Sequence, residues 1–198
     1  MSAPSGRVLR VFLLDDHDLV RRGVRDLLSA ARDVMVVGES SDARPAARQI
    51  LALDVDVMVL DLHLQDGTGV SVCRKVRSAD PRVRGLLLTA ATDDEATLAA
   101  VLAGAAGFST KFARSADLLG TIRAIGSDAS LIDAAVAERV RAAYLRRLDD
   151  LRPPLSHEDR ELLGHVADGL TDAELAQRMG LDEEPLHDRV AALIERTL

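Results

Sequence analysis

The sequence predicts an α/β fold: a doubly wound parallel sheet followed by a small all-helical unit. Three observations predict it. Apolar runs of buried-strand type alternate with helical patterns five times over about 120 residues. Four of those runs end on a polar residue, the placement that parallel sheets give to functional groups at their carboxyl edge. The last 44 residues carry helix caps in place of strand runs.

Taken in order, Val8-Leu9-Arg10-Val11-Phe12-Leu13-Leu14 is the first strand and ends on Asp15-Asp16. Leu19, Val20, Val24, Leu27 and Leu28 then recur at helical spacing. Val55-Asp56-Val57-Met58-Val59-Leu60 leads to Asp61 and opens into the polar, glycine-bearing loop His63 to Gly69. A second helical set, Val70, Val72, Cys73 and Val76, follows, with Cys73 on its apolar face as a core residue. Leu86-Leu87-Leu88 ends on Thr89; Leu98, Val101 and Leu102 mark the next helix; Gly107-Phe108-Ser109-Thr110 ends on Lys111.

Strand ends that gather Asp15, Asp16 and Asp61 create mutual repulsion, which a hard, oxygen-preferring cation such as Mg2+ resolves. Thr89 adds a hydroxyl and Lys111 an ammonium. Lysine is rare here, only Lys75 and Lys111 against 23 arginines, so its use at a strand end points to a compact point charge. Metal, ammonium and hydroxyl around one carboxylate are the apparatus of phosphoryl transfer, with Asp61 as nucleophile and an aspartyl phosphate as product.

LLDDH (13 to 17), VMVLDLHLQDGTG (57 to 69), LLLTAAT (86 to 92) and GFSTK (107 to 111) together resemble the receiver domain of bacterial two-component response regulators, over roughly residues 8 to 126. The resemblance implies a flavodoxin-like (βα)5 receiver. It makes Asp61 the phosphoacceptor of a sensor histidine kinase, with Mg2+ held by Asp16 directly, by Asp15 largely through water, by Asp61, and by the backbone carbonyl of His63. It makes Thr89 and Lys111 the partners of the phosphoryl oxygens, Phe108 the aromatic that follows Thr89, and Ala90 the small residue that leaves the pocket open. Gln65 replaces the usual proline, which should loosen the loop, and Phe112 replaces the proline that often follows the lysine. His17 and His63 are read as loop and rim residues. Apart from self-catalysed phosphoryl transfer and dephosphorylation, no enzyme activity is expected. A haloacid-dehalogenase-like phosphatase would place a second aspartate two residues after the first, where this chain has His63.

A single cysteine excludes an intramolecular disulfide, and no stretch has the apolar length of a membrane span. The first six residues lack the basic and apolar regions of a signal peptide, and a cytoplasmic protein is expected. Phe12, Phe108, Phe112 and Tyr144 are the only aromatics, too few for base-stacking platforms.

Residues 133 to 150 read as one long helix whose stripe of Ala135, Val136, Val140, Ala143, Tyr144 and Leu148 needs a partner, either the receiver or a second protomer. Leu151-Arg152-Pro153-Pro154 breaks it. The expected domains are therefore a receiver over 7–126, a linker helix and Pro-Pro hinge over 127–154, and an output unit over 155–198. Ser156, the capping box Thr171/Glu174 and Asp182 open three helices, and Gly180 ends the second, a helix-turn-helix spacing. LSHEDRELLGHVADGLTDAELAQRMGL (155 to 181) resembles the output domain of the NarL/FixJ, or LuxR-type, regulators, most of which are transcription factors.

Charge runs against duplex DNA. Residues 153–198 hold eleven acids and four arginines, so the whole net charge of −7 resides there, where affinity for DNA normally comes from neutralised phosphates. The last helix keeps Leu186, Val190, Leu193 and Ile194 inside; Glu183, Glu184, His187, Asp188, Ala191, Ala192 and Glu195 are assigned to its outer face. The residues expected to face DNA are His187, Asp188, Arg189, Ala191 and Arg196. Two outputs follow: control of transcription through duplex DNA, or an acidic module that docks a basic protein partner, a second copy in a homodimer, or its own receiver.

Overall fold

The computed structural model describes residues 7–90, 93–111 and 114–198, except for the side chains of residues 93 and 115. Phe112 lies outside the described residues. In chain order the elements are β1 (Leu9–Leu14), α1 (Asp18–Ser29), β2 (Val34–Ser40), α2 (Ala43–Ala52), β3 (Val57–Asp61), the two-residue strands β4 (His63–Leu64) and β5 (Gly67–Thr68), and α3 (Gly69–Ala79). They continue with β6 (Arg84–Thr89), α4 (Asp93–Ala103), β7 (Gly107–Thr110), α5 (Ser115–Gly126), α6 (Ala134–Asp149), α7 (His157–Ala167), α8 (Asp172–Met179) and α9 (Glu183–Thr197).

The main sheet is parallel, in the order β2-β1-β3-β6-β7. With the β4–β5 hairpin set aside, this is the 2-1-3-4-5 order of a flavodoxin-like sheet. All five residues of β3 are buried, as a central strand covered on both faces requires. Strand alternation sorts the core into two layers. Val11, Leu13, Val57, Val59, Leu86 and Leu88 point to α1 and α5, where Leu28, Leu118, Ile122 and Ile125 meet them. Phe12, Leu14, Met58, Leu60 and Leu87 point to α2, α3 and α4. Cys73 belongs to that second layer, its Sγ so close to Gly85 that a Cβ there would lie 2.5 Å away, and burial pushes its thiol up to about 12.

The second layer continues without a break into the C-terminal helices: Tyr144, Leu148, Leu163, Leu175, Leu186 and Ile194 share one apolar core with Leu98 and Leu102 of α4. The stripe of α6 therefore finds its partner in its own chain, on α4 and α7. Asp133 caps α6 by accepting from the Ala135 and Val136 amides. Ser156 caps α7 at the Asp159 amide, and Thr171 with Glu174 forms the capping box of α8. Gly180 ends α8 at φ 66°, the left-handed position that glycine takes without a Cβ penalty. Asp182 occupies the N-cap position of α9 without a side-chain bond.

Candidate functional site

The sheet order sets β1, β3, β6 and β7 side by side, and the registers Leu14↔Leu60, Asp61↔Leu88 and Thr89↔Thr110 bring their carboxyl ends level. Asp15, Asp61, Thr89 and Lys111 thus meet at one edge. The backbone after Asp61 is held closely: the Leu62 amide donates to the Leu88 carbonyl at 2.9 Å, and the Gly69 amide to the Leu62 carbonyl at 3.1 Å. Gly69 is required there, since a Cβ would stand 2.3 Å from the Asp61 carbonyl oxygen.

Lys111 Nζ lies 2.5 Å from Asp61 Oδ2 and 3.0 Å from Asp15 Oδ2. Asp15 and Asp61 are buried, 3% exposed each. Burial pushes the Asp61 carboxyl above the usual range, against the Lys111 hydrogen bond, and the Asp15 charge pushes the same way. For Lys111, burial disfavours the ammonium, but the carboxylates of Asp61 and Asp15 outweigh it and hold its pKa above the ordinary lysine value. The Asp15 Oδ1 accepts from the His17 amide at 2.8 Å, and Asp61 Oδ1 from the His63 amide at 3.4 Å.

Asp15, Asp16, His17 and Asp61 each offer one ligand atom, all within 4.8 Å of one another. Asp15 Oδ2 and Asp16 Oδ1 are buried and make no hydrogen bond. The nitrogens nearest them, Lys111 Nζ at 3.0 Å and His17 Nδ1 at 2.7 Å, are not aligned for a hydrogen bond, so those oxygens keep lone pairs free. Hard oxygens in this state suit a divalent cation.

Thr89 is buried, and its carbonyl accepts from the Lys111 amide at 2.9 Å. Phe108 is half-buried against the second core layer, and Ala90 is exposed. His63 is exposed at the rim, as expected of it. His17 is more than a loop residue: its Nδ1 stands 2.7 Å from Asp16, 3.3 Å from Asp15 and 3.8 Å from Asp61. Its position directly after the aspartate pair was the available signal. Asp66, which the sequence did not single out, accepts from the Ala43 and Arg44 amides at 2.7 and 3.2 Å. It thereby ties the β4–β5 hairpin to the start of α2, and Gln65 lies in the turn of that hairpin.

Residues 11–123 match the response regulator receiver domain. The chain belongs to the response regulators. It is 39% identical over 192 residues, 96% of this chain and 88% of the relative, to the "DNA-binding transcriptional activator DevR/DosR" of Mycobacterium tuberculosis. A solved LuxR-family two-component response regulator from Aurantimonas is similar over 68% of this chain and 96% of its own, with 32% identity and a TM-score of 0.60. The response regulator ChrA of a heme-sensing two-component system matches over 96% of this chain and 90% of its own, with 28% identity and a TM-score of 0.53. This response regulator thus carries a receiver and a C-terminal output region homologous to that of a DNA-binding transcriptional activator.

Within the response regulator, Glu183, Glu184, Asp188, Ala192 and Glu195 of the outer face assigned to α9 are exposed and Ala191 is half-buried; His187 is the residue that needs correction. His187 is buried, 8% exposed, because its Nδ1 meets Asp172 Oδ2 at 2.6 Å. Asp188 and Ala191 line a cleft of about 270 Å³ against Ala43, Arg44 and Val72. Arg189 is engaged by Asp159 and Glu158, and Arg196 donates to the Pro153 carbonyl. Of the side chains expected to face duplex DNA, His187 is thus buried, Arg189 and Ala191 are half-buried, and Asp188 and Arg196 are exposed. Residue type alone does not show this, because a polar helix face looks the same whether water or another polar surface covers it.

Proposed function

We propose that Asp61 is the phosphoacceptor and that the phosphoryl donor is the phosphohistidine of a sensor histidine kinase. The observation that carries this reading is the ammonium of Lys111 set between Asp61 and Asp15 at the carboxyl edge of the sheet. In the transfer, an Asp61 carboxylate oxygen forms the new O–P bond while the P–N bond breaks, and the electron pair stays on the leaving imidazole. Thr89 and Lys111 hold the phosphoryl oxygens, and Phe108 follows Thr89.

Asp15, Asp16, Asp61 and the His63 carbonyl would hold Mg2+, which supplies positive charge against the phosphoryl oxygens when bound. The oxygens of Asp15 and Asp16 that lack hydrogen bonds support that assignment. The same pocket would catalyse its own transfer from a small phosphodonor and its own dephosphorylation, in which a water oxygen forms the new bond to phosphorus as the Asp61 O–P bond breaks.

Residues 7–126 act as receiver, 127–154 as connector and 155–198 as output, in the cytoplasm. The homology of that output to DevR/DosR favours transcriptional control through duplex DNA over an output confined to protein contacts. His187, Asp188, Arg189, Ala191 and Arg196 are the proposed DNA-facing set once α9 leaves the position described above.

The deciding experiment treats the full chain with a small acyl phosphate and Mg2+ and follows intact mass. One hydroxylamine-sensitive phosphoryl group is expected on the wild type and none on Asp61→Asn. Incorporation that survives in Asp61→Asn would overturn the assignment.

A further inference from the structure

Two acids of the C-terminal helices, Asp172 and Glu184, find cationic partners on the receiver. Arg74 of α3 and Asp172 of α8 are 4% and 1% exposed. Arg74 Nε donates to Asp172 Oδ1 at 2.9 Å and Nη2 to the same oxygen at 2.5 Å. Nη1 also donates to the Leu102 carbonyl and Nη2 to the Leu170 carbonyl, each at 2.8 Å. The second oxygen of Asp172 meets His187 Nδ1 of α9, and its amide donates to Ser78 Oγ of α3 at 2.9 Å.

One guanidinium therefore ties α3 to the end of α4, to the turn before α8 and, through Asp172, to α9. A buried polar network in which each guanidinium nitrogen has a partner favours one arrangement of the parts it joins. Beside it, Lys75 pairs with Glu184 at 2.6 Å, and Arg44 and Lys75 share a cleft with Asp188 and Glu195. Helices α2 and α3 thus present cations where α8 and α9 present carboxylates.

We propose that the α2–α3 face of the receiver is the resident partner of the acidic output unit, and that Arg74, with Asp172 and His187, is the clasp that keeps α9 docked there. The proposal rests on reading residues 155–198 as the output.

The location connects the clasp to the phosphoacceptor pocket. Helix α3 begins at Gly69, directly after the hairpin that follows Asp61. Asp66 in that hairpin caps α2, and Asp66 and Gly67 line the same cleft as Asp188 and Ala191. A change in the hairpin moves the two helices on which α9 rests, which gives the pocket a direct route to the docked output.

Hydrogen–deuterium exchange on the full chain, without DNA or phosphodonor, tests the clasp. In Arg74→Gln and in Asp172→Asn, amides of α8 and α9 should exchange at least about 10-fold faster while β3 and β6 keep wild-type rates, since opening of one unit leaves the other protected. Small-angle scattering should show a larger radius of gyration in both variants. Unchanged exchange of α8 and α9 in both variants overturns the proposal. So does faster exchange that spreads equally over β3 and β6 in both, which makes Arg74 an ordinary core residue. If only Arg74→Gln disturbs the sheet, Asp172→Asn decides. Because opening itself is read, failure of Asp61 to accept a phosphoryl group, or of α9 to bind DNA, is a separate result.

Discussion

Lys111 Nζ stands between Asp61 and Asp15, 2.5 Å from one carboxylate and 3.0 Å from the other, so a single ammonium offsets two buried charges from different strands. In Lys111→Met those carboxylates lose their cation. Removing one partner of a buried pair costs about 3–5 kcal/mol, and the partial exposure of the lysine reduces the expectation to about 1–3 kcal/mol at neutral pH. Urea denaturation in metal-free buffer reads the loss, and millimolar Mg2+ should recover part of it. A wild-type midpoint in Lys111→Met would mean that water already screens the carboxylates.

Gly69 offers a second probe of the same pocket. A Cβ at this position would lie 2.3 Å from the Asp61 carbonyl oxygen and 3.1 Å from the Leu60 Cβ, and neither backbone nor a β-carbon gives way easily. Gly69→Ala is therefore expected to destabilise by about 1–3 kcal/mol, the usual range for overpacking. It should also slow acyl-phosphate labelling of Asp61, because the backbone that aims the carboxylate is the part that must move. Labelling at the wild-type rate, with an unchanged denaturation midpoint, would show that α3 shifts freely.

The sheet and its pocket were legible because buried parallel strands write themselves as apolar runs, and Asp15, Asp61, Thr89 and Lys111 each mark where such a run stops. The capping box of α8 was legible for a similar reason: Thr171 and Glu174 satisfy each other locally, at fixed spacing. Arg74 was not, since an arginine on a helix that also carries Lys75 and Arg77 looks like a solvated charge until its carboxylate partner arrives from 98 positions away. His187 was assigned to the outside for the same reason. The apolar stripe of α6 announced that something covers it, but choosing between α4 and a second protomer needed the tertiary arrangement.

Tyr144 reports on how that stripe is fastened. Its hydroxyl is buried 2.8 Å from Thr197 Oγ1, and Thr197 also donates to the Leu193 carbonyl at 2.8 Å. Burial pushes the phenol above the ordinary tyrosine range, with Thr197 and Arg147 acting the other way. Tyr144→Phe keeps the ring in the core and removes one hydrogen bond, so a loss of about 0.5–1.5 kcal/mol in urea is expected. A markedly larger loss would indicate that the hydroxyl also orders the end of α9.

Asp172 gives the network a defined pH signature. Burial alone would raise its pKa, but His187 and Arg74 outweigh that and hold it below the usual value of 3.8. A depressed folded-state pKa means that the unfolded chain takes up the proton first as pH falls. The stability contributed by the carboxylate is therefore complete above 3.8 and drains away as pH drops through the lower, folded-state value. Asp172→Asn cannot titrate. Its stability deficit against the wild type should be present at neutral pH and shrink below the unfolded-state pKa of the carboxyl, because only the wild type loses a charge there. Denaturation curves for both proteins from neutral pH down through that pKa make the comparison, and Arg74 stays charged throughout. A deficit that already vanishes near pH 6 would show that the charge of Asp172 is not what Arg74 and His187 recognise.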